Sequence, residues 1–263
     1  MLELLAHWSY SLFPGKCMLC LSASERRLDL CRACEADLPT TPWPCVRCGQ
    51  QALPANIAAD IPLNIVPAAP VCHLCRMHPP PFRRTFSAFA YSSPVDQLIS
   101  EFKTNHQHRV GYVLAMVLAQ RYQCWCQAQV AAATRVDLLV PMPLHKRRQR
   151  QRGFNQATEI SQCIGRLNGI AVDTRLCRRV KATNPQKGLS AVARQQNIQQ
   201  AFVVGRRLHG LRVAIVDDVV KLLTSLSQVS QYASQLWCYR APRIAGIGLA
   251  SEFGSKRILS NSV

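Results

Sequence analysis

Four Cys-x-x-Cys pairs within the first 80 residues constrain this chain more than any other feature of its sequence. The pairs are Cys17/Cys20, Cys31/Cys34, Cys45/Cys48 and Cys72/Cys75. Each pair can direct two thiolates at one tetrahedral ion, and two pairs complete a closed site with no open coordination position. We therefore predict that residues 1–80 form a small cysteine-rich module that holds two structural zinc ions.

The spacing leaves open which pairs combine. Consecutive pairing gives two separate ribbons, whereas alternate pairing gives an interleaved cross-brace. Consecutive pairs close shorter loops at a smaller cost in chain entropy, which favours two ribbons. The segment is rich in proline and has few long apolar runs, so its stability is expected to depend on the metal.

The N-terminus does not resemble a secretory signal, because no Lys or Arg precedes Lys16. No apolar run in the 263 residues approaches the length of about 18 that a membrane-spanning helix requires. We therefore expect a cytoplasmic protein. In a reducing compartment, closely spaced cysteines are more often metal ligands than disulfides.

The net charge of +18 belongs entirely to the chain after the cysteine pairs. Residues 1–80 contain six basic and six acidic residues, whereas residues 81–263 contain 26 basic and eight acidic ones. The interval 146–212 alone has 15 basic residues and two acidic ones. This balance indicates either an ordinary solvated surface or an anionic partner, such as nucleic acid, a phosphorylated sugar or an acidic membrane surface.

From residue 81 onward, strand-like and helix-like patterns alternate. Strands are predicted at 82–91, 136–140, 213–216 and 236–239, and helices at 95–102, 110–123, 157–167 and 188–201. This alternation is typical of an α/β fold with a mostly parallel sheet flanked by helices, in which ligands bind beyond the carboxyl ends of the strands. We assign residues 81–240 to this domain and 241–263 to a tail of unknown role.

A basic segment follows the strand predicted at 136–140. Its first part forms a candidate patch for DNA or phosphate, and the residues of this patch are Lys146, Arg147, Arg148 and Arg150. Arg152 and Gly153 come next, just before a helix is expected to start. Backbone amides at a helix N-terminus, with arginine beside them, suit a phosphate or a diphosphate. The alternative is a solvated basic loop without a ligand.

An acidic pair, Asp217 and Asp218, directly follows the strand predicted at 213–216. Two adjacent carboxylates at a strand end can bind a sugar diol or a divalent ion. A lone acidic pair is as often a solvated strand end, so this motif gains meaning only together with the others.

Taken together, these motifs resemble the ComF family of competence protein F and GntX-like DNA-utilisation proteins. The residues that carry the resemblance are Val140–Leu144, Arg152–Gln156, Pro185–Gln186, Arg194, Asn197, Ala201–Phe202 and Val216–Val220, with the four cysteine pairs. The match covers residues 17–240. It implies a type I phosphoribosyltransferase-like sheet preceded by the family's zinc module.

The resemblance also implies a site for phosphoribosyl pyrophosphate. Asp217 and Asp218 would contact the ribose hydroxyls with Mg²⁺, and Arg152 and Gly153 would face the diphosphate. The hydroxyls of Thr224 and Ser225 would bind the 5-phosphate, and the segment around 183–194 would form a flap over the site.

The family resemblance further implies a role in DNA uptake and natural transformation, or in the use of DNA as a nutrient. Its expected partners are single-stranded DNA and proteins of the DNA-uptake machinery, with peripheral contact to a membrane as a further possibility. The alternative function is an active phosphoribosyltransferase of nucleobase or nucleotide metabolism.

The phosphate loop departs from the family pattern. Residues 221–225 are Lys-Leu-Leu-Thr-Ser, where the family has Thr-Thr-Gly-Ser-Thr. Glycine suits a phosphate cradle because its backbone can approach the oxygens, and Leu223 would cost about 1–2 kcal/mol if a left-handed backbone is needed there. A natural loop replacement and a compensated frameshift both account for the departure. We therefore expect phosphoribosyl transfer to be impaired.

Overall fold

The computed structural model describes residues 15–52, 70–104, 107–128, 136–180, 201–205, 210–220 and 243–251. Two short helices, α1 (Arg32–Ala36) and α2 (His73–Met77), lie in the cysteine-rich module. The helix predicted at 188–201, apart from its last residue, and the strand predicted at 236–239 fall outside the described ranges.

After the cysteine-rich module, helices and strands alternate along the chain. In chain order they are β1 (Arg84–Ala90), α3 (Val95–Thr104), α4 (His108–Ala128), β2 (Leu138–Pro141), α5 (Lys146–Arg152), α6 (Gln156–Asn168), β3 (Ala171–Val172), β4 (Cys177–Arg179), β5 (Phe202–Val204), β6 (Arg212–Val220) and β7 (Arg243–Ser251).

Five of these strands form one sheet in the order β1-β7-β6-β2-β3, and every neighbouring pair is parallel. The predicted α/β architecture with a mostly parallel sheet is therefore confirmed. The strands β4 and β5 pair antiparallel with each other in a separate two-stranded ribbon. None of the described helices has the length and apolarity needed to cross a bilayer.

The assignment of residues 241–263 to a tail is wrong for the part that the structure describes. Residues 243–251 form β7, which lies between β1 and β6 and pairs with both along its length. Its run of apolar and glycine residues fills the space between the two neighbouring strands. The sheet therefore extends past the predicted domain boundary at residue 240.

One face of the sheet is covered by α3, α4 and α6. The predicted stripe on α3 is buried, because Val95, Leu98, Ile99 and Phe102 all face the core. Apolar residues of the cysteine-rich module enter the same core, and these are Cys17, Leu28, Leu30 and Leu38. The module and the sheet therefore share one hydrophobic core on this face.

The opposite face is covered by the ribbon of β4 and β5. Cys177 and Phe202 of the ribbon pack in one cluster with Val213 and Ile215 of β6. Ala157, at the start of α6, belongs to this second cluster, whereas Ile160 and Ile164 of the same helix face the first. The ribbon thus occupies a face on which the sequence predicted helices.

The contact between α3 and α4 requires a glycine. A Cβ atom on Gly111 would lie 2.1–2.5 Å from ring atoms of Phe102, far inside van der Waals distance. The predicted end of α6 is confirmed at Gly169, which has a φ of 64° and donates its backbone N–H to the carbonyl of Gly165. This left-handed conformation favours glycine and ends the helix before β3.

Candidate functional site

The eight paired cysteines form two groups of four. Cys17, Cys20, Cys31 and Cys34 form the first group, and Cys45, Cys48, Cys72 and Cys75 form the second. Within each group the four sulfur atoms lie within 4.8 Å of one another, close enough to hold one metal ion. The favoured pairing of consecutive motifs is therefore confirmed, and the interleaved alternative is excluded.

The first group combines a tight turn with a helix start. The backbone N–H of Leu21 donates to the Cys17 carbonyl at 3.0 Å, and the Sγ atom of Cys31 accepts from the N–H of Cys34 at 3.4 Å where α1 begins. Burial opposes ionisation of Cys17, but backbone hydrogen bonds from Cys20 and Cys31 lower its pKa to about 6. These bonds prepare a thiolate for a cation.

The second group is enclosed more completely. All four of its thiols are buried, whereas in the first group Cys20 is exposed and Cys31 and Cys34 are partly exposed. A hydrogen bond from the Cys48 thiol lowers the pKa of Cys45 to about 4, against the effect of burial. The N–H of Cys72 also donates to the Cys45 sulfur at 3.3 Å. Both groups thus present the sulfur-rich donor set of a closed structural site.

The cysteine-rich module contacts the sheet through main-chain hydrogen bonds. The N–H of Thr85 in β1 donates to the Val46 carbonyl at 3.1 Å, and the Ser251 hydroxyl at the end of β7 donates to the Gly49 carbonyl at 2.9 Å. On the side of the first group, Arg109 forms a 2.6 Å ion pair with Asp29. Hydrogen bonds therefore join the region of the second cysteine group to the sheet domain, and an ion pair joins the region of the first.

The acidic pair lies inside β6 and not beyond its end, which corrects the predicted strand boundary at residue 216. The neighbouring strand β2 pairs with β6 only as far as Pro141, opposite Val216. Beyond that point β6 continues beside β7, with Asp217 opposite Gly248. The pair therefore lies at the carboxyl end of β2, where α/β sheets commonly bind ligands.

Both carboxylates accept local backbone hydrogen bonds. Oδ1 of Asp217 accepts from the N–H of Asp218 at 2.9 Å, and Oδ1 of Asp218 accepts from the N–H of Val219 at 2.8 Å. These bonds tie each carboxylate to the backbone of the residue that follows it. The second oxygen of Asp218, Oδ2, faces Lys103.

Asp218 is paired with Lys103 from the last turn of α3. The Nζ atom lies 2.5 Å from Oδ2, and the two side chains are 24% and 15% exposed. Burial opposes ionisation, but Lys103 lowers the pKa of Asp218 below its usual range. Burial and the neighbouring charge of Asp218 instead raise the pKa of Asp217 well above its usual range. The pair thus favours one ionised and one protonated carboxyl group.

The basic segment that the sequence predicted as a loop folds mostly into α5. The ring nitrogen Nδ1 of His145 caps this helix by accepting from the N–H of Arg147 at 3.3 Å, and Gly153 ends it with a φ of 72°. The side chains of the predicted patch, Lys146, Arg147, Arg148 and Arg150, are all exposed. No acidic residue lies in this helix, so its outer surface is uniformly cationic.

Two guanidinium groups interact electrostatically with the acidic pair, and a third interacts with both of these groups. Arg148 and Arg152 come from α5, and Arg179 comes from β4. Burial and the charge of Arg148 lower the pKa of Arg152, and the charge of Asp218 raises it. Burial and Arg148 lower the pKa of Arg179 likewise, whereas Asp217 raises it. The predicted acidic and basic motifs therefore converge on one cluster, which we call the acidic–basic cluster: Lys103, Arg148, Arg152, Arg179, Asp217 and Asp218.

Gln156, the first residue of α6, borders this cluster. Its Oε1 atom accepts from Nη1 of Arg152 at 3.1 Å. The residue is only 2% exposed, and its Nε2 atom has no hydrogen-bond partner in the described part of the chain. A buried donor of this kind is available to a ligand oxygen.

Sequence reasoning identified Asp217, Asp218 and Arg152 but missed Lys103 and Arg179. Lys103 follows the buried Phe102 in α3 and looks like an ordinary basic residue in a last helical turn. Only its distance from Asp218 in the folded chain reveals it. Thr224 and Ser225, predicted to bind phosphate, lie outside the described residues.

The acidic pair does not fit a magnesium ion. In the ranges that the structure describes, three or more metal-binding side chains come together only in the two cysteine groups. The pair supplies two carboxyl groups, of which one is bound to Lys103 and the other favours its protonated form. A Mg²⁺ ion prefers hard, ionised oxygen ligands, and this pair offers it no carboxylate that is both ionised and without a cation of its own.

Known proteins resemble this chain over most of its length, although no protein-family model matches it. DNA utilization protein YhgH of Salmonella typhi is 29% identical over 241 residues, which cover 89% of this chain and 91% of that protein. The protein of the same name from Escherichia coli strain K12 is 27% identical over 233 residues, covering 86% and 96%.

Competence protein F of Haemophilus influenzae is 29% identical over 211 residues, which cover 79% of this chain and 85% of that protein. These matches include the cysteine-rich module as well as the sheet, because they extend over most of both chains. They confirm the resemblance drawn from the motifs, and the chain is similar to these proteins over most of its length.

Proposed function

We propose that this protein handles single-stranded DNA as it is taken up in transformation or used as a nutrient. The names of its homologues, DNA utilization protein and competence protein F, support a function linked to DNA. The observation that carries the proposal is the exposed cationic surface of α5 at the carboxyl edge of the sheet. We expect this function in the cytoplasm, together with proteins of the uptake machinery.

The surface of α5 suits a nucleic-acid backbone. Seven residues of helix extend over about 10 Å, which is enough to face two neighbouring phosphates of an extended strand. The guanidinium groups of Arg147 and Arg150 can each form paired hydrogen bonds with a phosphate. Such contacts carry no sequence information, so binding should tolerate any base sequence.

In this proposal the two cysteine groups hold zinc. Four thiolates with tetrahedral spacing are the donor set that zinc prefers in structural sites. The ions would stabilise the module and fasten it to the sheet, and they would take no part in chemistry.

A salt titration with matched variants tests the DNA contact. Arg147 and Arg150 are changed together to Gln, and the control carries the same change at Arg83 and Arg166. Both control residues are exposed and lie at the opposite edge of the sheet, before β1 and in the last turn of α6. We expect affinity for an oligothymidylate to fall steeply with salt, with a log–log slope of about −0.7 for each phosphate contacted.

The α5 variant should show a shallower salt slope by about 0.7 to 1.4 units, because it loses one or two phosphate contacts. The control should keep the slope of the parent protein. A salt-independent affinity, or an equal loss in both variants, would contradict the proposal that α5 contacts DNA.

A second function, phosphoribosyl transfer, is favoured by the acidic–basic cluster at the carboxyl edge of the sheet. Here Asp217 and Asp218 would bind the ribose, Arg152 and Gly153 the diphosphate, and Thr224 and Ser225 the 5-phosphate. Because the loop at 221–225 departs from the family pattern, we expect transfer itself to be impaired. A sugar-phosphate ligand could still bind.

Calorimetric titration with phosphoribosyl pyrophosphate tests this second function, with the Leu223→Gly variant beside the parent chain. We expect the variant to bind more tightly, because glycine frees the loop backbone to approach the 5-phosphate. Absence of binding by both proteins would reject a sugar-phosphate site here.

A further inference from the structure

The ion pair between Lys103 and Asp218 places a fixed positive charge within the acidic–basic cluster. We propose that Lys103 takes the place of a divalent cation, so that the cluster binds a diphosphate group without Mg²⁺. This inference rests on the sugar-phosphate site proposed above, and it specifies how that site recognises its ligand.

Asp218 already has a positive counter-charge in Lys103. The Lys103 nitrogen is 2.5 Å from Oδ2, and both side chains are largely withdrawn from water. Partial burial strengthens their attraction relative to an ion pair on the surface. A Mg²⁺ ion could reach this carboxylate only by displacing the ammonium group, and it would then lie beside an unpaired cation.

Asp217 is a poorer ligand than Asp218. Its Oδ1 accepts the N–H of Asp218, and burial and the adjacent carboxylate raise its pKa and so oppose its ionisation. The pair therefore carries less negative charge than two free carboxylates, and Lys103 balances Asp218.

Basic groups outnumber the acidic ones around this pair. Arg152 interacts electrostatically with Asp218 and Arg179 with Asp217, and Arg148 adds a third positive charge beside the two guanidinium groups. Gln156 adds a neutral donor, an Nε2 atom that is buried without a partner in the described residues. Guanidinium and amide donors match the oxygens of a diphosphate, which carries several negative charges, and they need no bridging metal.

The test uses the full zinc-loaded chain and measures binding of inorganic pyrophosphate and of phosphoribosyl pyrophosphate by calorimetry. Mg²⁺ is removed from the buffers with a chelating resin, because a soluble chelator would also remove zinc. We expect the parent protein to bind at least one of the two probes without Mg²⁺, with an affinity that millimolar Mg²⁺ improves by less than about tenfold.

Lys103→Met should lose about tenfold or more of this Mg²⁺-free affinity, as expected for a lost charge-assisted hydrogen bond, and added Mg²⁺ should restore part of it. Lys16→Met, at an exposed lysine of the cysteine-rich module, is the matched control and should bind like the parent. Thermal unfolding of each variant verifies that it is folded.

Asp218→Asn gives a second readout that does not depend on the Lys103 variant. It frees the ammonium group, so Mg²⁺-free binding should persist or improve, whereas a metal-dependent site would lose its ligand. Binding that requires Mg²⁺ in the parent, or an unchanged affinity in Lys103→Met, overturns the inference and leaves the sugar-phosphate site in place. Failure of every protein to bind either probe, with and without Mg²⁺, rejects the site and the inference together.

Discussion

Asp217 illustrates how the surroundings of a residue determine its charge. Burial and the adjacent Asp218 raise its pKa, so the folded chain keeps a proton that the unfolded chain releases at lower pH. The free energy of unfolding therefore falls as pH rises from the ordinary aspartate pKa toward the raised one.

We expect Asp217→Asn to stabilise the protein at neutral pH by about 1 kcal/mol, because the amide needs no proton and its oxygen can still accept the N–H of Asp218. Below the ordinary aspartate pKa the difference should vanish. Urea unfolding at several pH values measures it, and a pH-independent difference would contradict this explanation.

Asp218→Asn should instead lower the free energy of unfolding at neutral pH, and it serves as the paired control. Lys103 lowers the pKa of Asp218, so the stability this group supplies is present at neutral pH and lost on acidification.

A second residue-scale prediction concerns Gly111 in α4. Alanine is the better helix former, yet its Cβ would enter the ring of Phe102, so Gly111→Ala should destabilise the protein by about 1–3 kcal/mol. A second substitution, Phe102→Leu, makes room for the new methyl group. The double variant should therefore lose less free energy of unfolding than the two single losses added together. Chemical unfolding measures all three, and a stabilised single variant would show that the contact is not tight.

For single residues, the sequence gives the residue type but not which side chains lie close together in the folded chain. Asp217 and Asp218 stand out as an acidic pair after an apolar run, so they could be identified as candidates. Lys103 is more than one hundred residues earlier in the chain and has no motif of its own. Its partner is determined by the packing of α3 on the sheet, which periodicity does not specify.

Among the elements, the two cysteine groups differ in how easily solvent reaches them. The second group is fully buried, whereas Cys20 of the first is exposed. A chromogenic chelator should therefore remove zinc from the first group faster, with two phases separated by about tenfold or more in rate. Cys20→Ser should abolish the fast phase, and Cys48→Ser the slow one. A single phase in the parent protein would contradict this asymmetry.

The helix α5 and the strand β6 show why element boundaries were difficult to predict. The residues of α5 favour a helix, but they have no apolar stripe, so periodicity gave no signal. The strand β6 was predicted to stop at its first carboxylate. It continues to Val220 because β7 pairs with it there, and each partner residue is 31 positions later in the sequence.

For the whole molecule, β7 is the element that sequence reasoning misplaced. The glycines at 246 and 248 weaken a strand pattern, although Ile244, Ile247 and Leu249 lie within an apolar run. Gly248 is needed opposite Asp217, because a Cβ there would lie 2.4 Å from the side chain of Val220.

Removing β7 should therefore prevent the sheet from forming. A chain that ends at residue 240 should lack cooperative unfolding and expose apolar surface, because β1 loses its described parallel neighbour and β6 loses one of its two. A chain that ends at residue 252 retains β7 and should unfold cooperatively. Circular dichroism with thermal melting compares them, and a cooperative transition in the shorter chain would refute the central position of β7.

The position of β7 also has a consequence for how the protein is made. On a ribosome the chain emerges from its N-terminus, so β1, β2 and β6 are available long before residues 243–251 appear. The sheet cannot close in the meantime, because the strand between β1 and β6 is the last described element to be synthesised. Until then the nascent chain exposes two unpaired strand edges, which are prone to wrong pairing. Completion of this sheet therefore waits until residues 243–251 have left the ribosome.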